Sequence, residues 1–345
     1  MLAHVRRGAL AFALSLAPAA MAQPSQPSQV NFEGKQIKLL IGFSPGGIGY
    51  DTYGRLLAKH MSRHIKGNPA IVPQNRPGAG SLALVTQMYN IEPKDGTSMA
   101  LVGRGAAMDP LLTEDPSKAL FNAAKFNWLG SMNNEIAGFF ITDRAPAKSL
   151  KEILAGAALQ VGSTGAGGDP QIFAKILNAT LKTNLKIVSG YPGMQEIVLS
   201  MARGELDGVM GYSWATARVG IGDELKSGQY KLVMQLGLTP HPELKDIPLV
   251  TDLVAEGSDR DLLKFIFARQ SMGRPLLLPP DVPPDVVAAL RKAFDDTVKD
   301  PEFLKEAQKL GLEINALSGR DVQKIVDLIY EAPKSVIEKA KEAAR

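Results

Sequence analysis

Apolar and polar positions along this chain switch between two periods, and the switches mark out its elements. Residues 37–41, Ile-Lys-Leu-Leu-Ile, make a short apolar run with the length of a buried strand. A glycine- and proline-rich loop over 42–49 follows. Beyond it Tyr53, Leu56, Leu57, Met61 and Ile65 recur at i, i+3 and i+4, the apolar face of a helix. The same reading predicts strands over 70–72, 99–102, 139–142, 159–162, 186–188, 208–210 and 231–236. Helices are predicted over 81–89, 150–155, 171–181, 194–203, 284–299 and 301–310. Strands that alternate with helices predict α/β domains built on largely parallel sheets. A length of 345 residues leaves room for about two such domains of ~150 residues.

One arrangement occurs twice. Strand 37–41 runs through the glycine-rich loop into a helix opening near Asp51. Strand 159–162 runs through Ser163-Thr164-Gly165-Ala166-Gly167-Gly168 into a helix opening at Asp169-Pro170. Asp caps free N–H groups there, and Pro needs none at the first helical position. Ligands of α/β sheets bind beyond the carboxyl ends of the strands, so the two loops are expected to face each other across one interdomain cleft. Glycine turns backbone N–H groups toward a ligand, and a helix N-terminus attracts an anion. A few such bonds to a carboxylate, at ~1.5–3 kcal/mol each, reach the ~8 kcal/mol of micromolar binding without a side-chain cation. Tight strand-to-helix turns would use the same glycines, and the local pattern does not separate the two readings.

Composition narrows the classes. Residues 1–7 carry Arg6 and Arg7, residues 8–20 are almost wholly apolar, and Ala20-Met21-Ala22 presents small residues where signal peptidase cuts. Residues 1–22 are therefore expected to be a cleavable signal peptide ending at Ala22, and 23–34 a Gln/Pro/Ser-rich flexible tether. The apolar run is shorter than the ~20 residues of a membrane span. With no cysteine, the chain has no disulfide, thiolate nucleophile or cysteine metal site. Of the formal net charge of +4, two charges belong to Arg6 and Arg7. So mild and interspersed a balance does not fit nucleic-acid binding.

Motifs for catalysis fail on inspection. Gly42-Phe43-Ser44-Pro45-Gly46 fits a nucleophile elbow, but the oxyanion donor would be the N–H of Pro45, which has none. Gly78-Ala79-Gly80-Ser81-Leu82-Ala83 fits a dinucleotide fingerprint, but Asn75-Arg76-Pro77 stands where a strand is required. His60 and His64 share a helix face with Lys59 and Arg63 and read as a solvated surface rather than a metal pair. No cofactor or metal is expected. Tyr50, Tyr191, Tyr212 and Trp214 sit in loops beside predicted strands, where they line a cleft or simply pack. Asp51 is expected to cap its own helix, and Asp207 to end a helix-to-strand turn.

Taken in order, these segments resemble a known family. The loop Gly42-Phe43-Ser44-Pro45-Gly46-Gly47 with Asp51 opens the match. Asn75-Arg76-Pro77-Gly78-Ala79-Gly80, Pro93-Lys94-Asp95-Gly96-Thr97, residues 162–167, Gly190-Tyr191-Pro192-Gly193 and Gly204-Glu205-Leu206-Asp207 continue it. Pro279-Pro280-Asp281-Val282-Pro283 and Asp300-Pro301-Glu302-Phe303 complete it. The ordered set resembles the solute receptors of tripartite tricarboxylate transporters, the Bug or TctC-like family. The resemblance implies a type II periplasmic-binding-protein fold, two α/β lobes with a ligand cleft between them. Residues 35–135 and 238–345 would form one lobe, and 136–237 the other. It also implies a carboxylate held by Phe43, Ser44, Pro45, Gly46, Gly47, Ile48, Gly49, Tyr50 and Asp51 and by residues 163–169. Gly80, Ser81, Gly103, Arg104 and Gly105 would line the first lobe.

Three departures bear on the pocket. Ile48 is an extra residue in the first loop, and Gly211 stands where many relatives have an acid. Arg104 replaces a small hydroxyl residue, and is expected either to meet a second ligand carboxylate or to face solvent. The leading expectation is a monomeric periplasmic receptor that passes a small organic acid to one large and one small membrane subunit. Two alternatives stay open: a secreted enzyme using Asp51, Asp169 or Asp207 as its base, and a ligand-presenting partner of a sensor kinase.

Overall fold

The structure, a computed structural model, describes residues 30–47, 49–113 and 120–345. The expected signal peptide, most of the tether and Ile48 lie outside the described residues. The strands are β1 (Gln36–Ile41), β2 (Ala70–Asn75), β3 (Ser98–Leu101), β4 (Asn127–Ser131), β5 (Ala137–Thr142) and β6 (Ala158–Ser163). They continue with β7 (Asn184–Ser189), β8 (Gly208–Ser213), β9 (Tyr230–Leu236), β10 (Pro275–Leu278) and β11 (Leu317–Ser318). They form a six-stranded sheet of order β11-β4-β10-β3-β1-β2 and a five-stranded sheet of order β7-β6-β8-β5-β9.

The two sheets share one plan. In each, three parallel strands put the earliest in the middle, as β2-β1-β3 and as β7-β6-β8. Beside each triplet lies an antiparallel strand that has just arrived from the other sheet, β10 next to β3 and β5 next to β8. The chain therefore crosses between the sheets twice, once after β4 and once after β9. This is the two-lobed α/β architecture of periplasmic binding proteins.

Elements with a clear period formed where the pattern put them. The unpredicted ones are instructive. β4 contains Gly130, which reads as a breaker, yet a Cβ there would stand 2.1 Å from the Phe294 ring. Its glycine makes room for the helix Pro284–Thr297. β10 is bounded by prolines, and its strand character comes from pairing with β3 and β4. The helices Ser258–Phe267, Gly319–Tyr330 and Lys334–Ala343 were also not expected, although Val322, Val326 and Ile329 form a buried stripe on the second of them.

One hydrophobic cluster runs through both lobes, joining Leu40 and Val102 to Phe139, Val161 and Phe173. Phe173, on the helix Asp169–Thr180, meets Phe267 with ring centroids 4.7 Å apart. The last helix, Lys334–Ala343, packs on Asp169–Thr180 from one lobe and on Asp109–Leu112 and Ser258–Phe267. Lys175 Nζ of the former donates to the Ala344 carbonyl at 2.7 Å.

The histidine pair does not form the solvated surface expected of it. His60 is buried and bonds Glu306 at 2.7 Å, and His64 bonds Asp300 at 2.9 Å. Both dock the helix Pro301–Lys309 onto the helix Tyr50–Met61. Removing a fully buried aromatic leaves a cavity, at ~3–5 kcal/mol. Phe173→Ala is expected to lower stability by about that amount, read as the shift of the urea unfolding midpoint.

Candidate functional site

β1 and β6 are each the middle strand of a parallel triplet. The loop after such a strand stands at a topological switch point, where a crevice opens between neighbouring loops. Here the two crevices meet. The loops after β1 and β6 face each other across a cavity of about 180 Å³. Phe43, Ser44, Gly47, Gly49, Tyr50 and Asp51 line it from one lobe, and Thr164, Gly167, Gly168 and Asp169 from the other. Gly80, Gly103, Arg104, Gly105 and Tyr212 complete the predicted residues found in its wall. Among the described residues, no acceptor of the chain takes the N–H groups of Ser44 and Gly47 at one lip, or of Thr164 and Gly167 at the other.

Other predicted residues support the wall without forming it. Ser81 is buried, and its Oγ accepts from Gly103 N at 2.9 Å. Ser163 Oγ accepts from Gly165 N at 3.1 Å, and Gly165 and Ala166 carry the turn behind the cavity. Pro45 and Gly46 point outward as an exposed turn. Tyr191 packs on the cluster around Ile197 and Val209. Trp214 Nε1 donates to Glu243 at 2.9 Å, outside the cavity.

Asp51 shapes its loop rather than capping its helix. The cap position is Gly49, which makes no side-chain cap bond. The Asp51 carboxylate accepts from Gly46 N at 2.8 Å, Asn75 Nδ2 at 2.8 Å and Arg55 Nε at 3.0 Å. Burial pushes its pKa up, but these three donors outweigh that and hold it below the usual range. The cap preceding the second helix is likewise Gly168, and Asp169 spends its carboxylate elsewhere. Asp207 does the work expected of it in the turn, accepting from Gln160 N at 2.7 Å.

Asp169 belongs to a charge network that forms part of the cavity wall and joins both lobes. Arg104 pairs through Nε with Asp169 and through Nη1 with Glu135, and its Nη2 donates to the Gly211 carbonyl at 3.3 Å. Arg269 Nη1 lies 3.3 Å from Asp169, and Arg274 Nη1 lies 2.7 Å from Glu135. Ser213 Oγ adds a bond to Glu135 at 2.7 Å. Tyr50 covers the Arg274 guanidinium at 4.4 Å and stacks on Phe43 at 4.1 Å. Arg104 is thus buried rather than facing solvent, and it lines the cavity with three of its five N–H donors committed to the chain. Burial alone would lower the Arg104 pKa, but Asp169 and Glu135 outweigh it and raise it above the usual range. Burial also pushes Glu135 up, and Arg274 and Arg104 more than reverse this. Asp109 has no such help: burial raises its carboxyl to about 7 against the opposing pull of Arg269. Glu135 and Asp169 thus each pair with two of the three guanidiniums.

The turn 78–81 has a different use from the dinucleotide site weighed for it. A strand, β2, does precede it. However, a Cβ on Gly80 would stand 2.3 Å from Gly168 N, and one on Gly167 2.9 Å from the Ala79 carbonyl. The space a pyrophosphate would need is filled by the opposite lobe. Ala79, Gly80 and Ser81 all have positive φ, at 48°, 67° and 83°. Such backbone costs ~1–3 kcal/mol per non-glycine residue and persists where the surroundings enforce it. Here Gly103 and the facing loop enforce it.

Sequence reasoning missed part of the wall. Gly193, Met194, Gln195, Glu196 and Val198 line the cavity from the loop and helix after β7. The strand–glycine–helix pattern over 186–203 was a readable signal for them. Pro170, Ser213, Thr216, Gly220 and Arg274 also line it, and Arg274 had no local signal at all, whereas Gly211 had been expected to bear on the pocket.

Known proteins share the family and the fold. The model of the tripartite tricarboxylate transporter family receptor matches residues 54–341. The chain belongs to this receptor family. A Cupriavidus necator relative, the UPF0065 protein in gbd 5'region, is 25% identical over 345 residues, covering 97% of this chain and 95% of its own length. The periplasmic binding protein BugD shares the fold at a TM-score of 0.70 and 21% identity, over 90% of this receptor and 98% of BugD. MatC from Rhodopseudomonas palustris with bound malate aligns at 0.67 and 18% identity, over 90% of this chain and 99% of MatC. Another R. palustris protein, with adipate, aligns at 0.69 and 16%, over 91% and 98%. Family and fold are those of substrate-binding receptors rather than enzymes.

Two outcomes follow from the receptor's geometry. In Gly80→Ala the added methyl meets the Gly168 backbone across the cleft, on top of the strain of alanine at φ 67°. The variant is expected to fold, but to bind ligand at least ~10-fold more weakly, ~1.4 kcal/mol, in calorimetric titration. Asp109 binds a proton up to about pH 7 in the folded state and only up to about pH 4 when unfolded. Its contribution to stability therefore falls as pH rises through that window. The melting temperature of Asp109→Asn, measured against the parent, is expected to gain steadily from pH 4 to 7 and then level off.

Proposed function

We propose that this receptor works in the periplasm, where it closes on a small organic carboxylate and delivers it to the membrane subunits of a tripartite transporter. The observation that carries the reading is the pair of opposed glycine turns. They offer unclaimed amides from both lobes to one cavity, the donor set that a carboxylate needs. Relatives solved with malate and with adipate support a small dicarboxylate as the ligand class. The signal-peptide pattern of residues 1–22 supports export, with cleavage after Ala22, and BugD is named a periplasmic protein. One large and one small membrane subunit are the proposed partners, and a single copy the working state.

Binding from two lobes at once stabilises the closed form, so a ligand raises the melting temperature by mass action, ~2.7 kcal/mol at a hundred times Kd. Screening C3–C7 mono- and dicarboxylates by thermal shift is expected to find at least one that stabilises the protein and emerges chemically unchanged. Silence across the whole series would sink the proposal.

A further inference from the structure

Building on that reading, we infer that the preferred ligand is a carboxylate that also carries a hydrogen-bond donor, a hydroxyl or ammonium group, and that Glu196 receives it. Several buried side-chain atoms among the described residues lack a partner. Two of them belong to residues that line the cavity: Arg274 Nε and Glu196 Oε2. One is a donor and the other an acceptor. A buried polar atom left unpaired costs ~1–3 kcal/mol, more when the group is charged. A ligand with an acceptor at one position and a donor at another satisfies both.

Arg274 Nε is placed for the acceptor. The side chain is 2% exposed, held by Glu135 and Thr216 and covered by Tyr50. Its Nη1 and Nη2 are each bonded, and its Nε alone of the three nitrogens has no partner. Glu196 stands elsewhere in the wall, in the first turn of the helix Met194–Arg203, and bonds none of the three guanidiniums. Its Oε2 lies 3.0 Å from the point where a Cβ on Gly193 would be, and Ser44 Oγ lies 3.5 Å from that same point. Glu196 and Ser44 are therefore neighbours across the closed cleft, one from each lobe. A ligand donor held there touches both lobes, as a trigger for closure must.

A glutamate three residues past the cap position can instead reach back to the cap N–H. Glu196 makes no such bond to Gly193, and that job does not require it to line a cavity. Glutamine would serve the capping role equally, which separates the two explanations experimentally.

The test uses acids that share a skeleton and differ at one carbon: succinate, malate and aspartate, and glutarate, 2-hydroxyglutarate and glutamate. Calorimetric titration of the mature protein is expected to show a hydroxy or amino member binding at least ~10-fold tighter than its unsubstituted parent. Glu196→Gln should keep its melting temperature and any hydroxyl preference but lose an ammonium preference. Glu196→Ala should bind all members of a skeleton alike. If the parent protein binds the unsubstituted acids as well as the others, or if Glu196→Ala weakens every acid equally, the inference fails while the carboxylate reading stands. If no acid of either skeleton binds, and the wider series is also silent, both fail together.

Discussion

Three guanidiniums held out of water make the central constraint on this molecule. Arg104, Arg269 and Arg274 are each at most 5% exposed, and a charge in such a place survives only when it is paired and hydrogen-bonded. Glu135 and Asp169 supply the pairing, one from the first crossing between the sheets and one from the helix after β6. Its bonds from Arg104 and Arg269 to Asp169 reach from one lobe to the other, and Glu135 ties them to the crossing between the sheets. Whatever moves Asp169 moves Arg104 and Arg269 with it.

The glycine turns carry the same logic in steric form. Gly80, Gly167 and Gly168 lie so close that backbone meets backbone across the cleft, and a side chain at Gly80 or Gly167 would hold the lobes apart. Glycine has two uses here: it exposes amides to a ligand, and it lets two lobes touch. The left-handed run at Ala79, Gly80 and Ser81 is part of that contact, braced by the Ser81 hydroxyl against Gly103.

A binding protein of this kind needs a ligand that completes it. The loops leave amides unclaimed, Arg274 leaves an N–H unpaired, and Glu196 leaves an oxygen unpaired. Each deficit is small beside the total of buried contacts. Together they describe the chemistry of what fills the cavity better than its volume does.

How far the sequence reached depended on the range of the interaction involved. The strand–glycine–helix units at 37–51 and 159–170 were legible because period, glycine and helix start are all local signals. The two-lobed α/β class followed from their repetition and from the ordered motifs that resemble the receptor family. Residues whose role rests on a distant partner were misread. For Arg104 the solvent alternative failed, because its partners lie 31 and 65 residues away and bury it. His60 was placed on the surface although Glu306 buries it. Glu135 and Arg274 went unnoticed because a lone charge in a loop carries no pattern. The sequence alone settled which segments turn, since backbone freedom is a property of the residue itself. Only the tertiary structure decided which charges face the ligand and which face each other, because pairing depends on what the fold brings within a few ångströms.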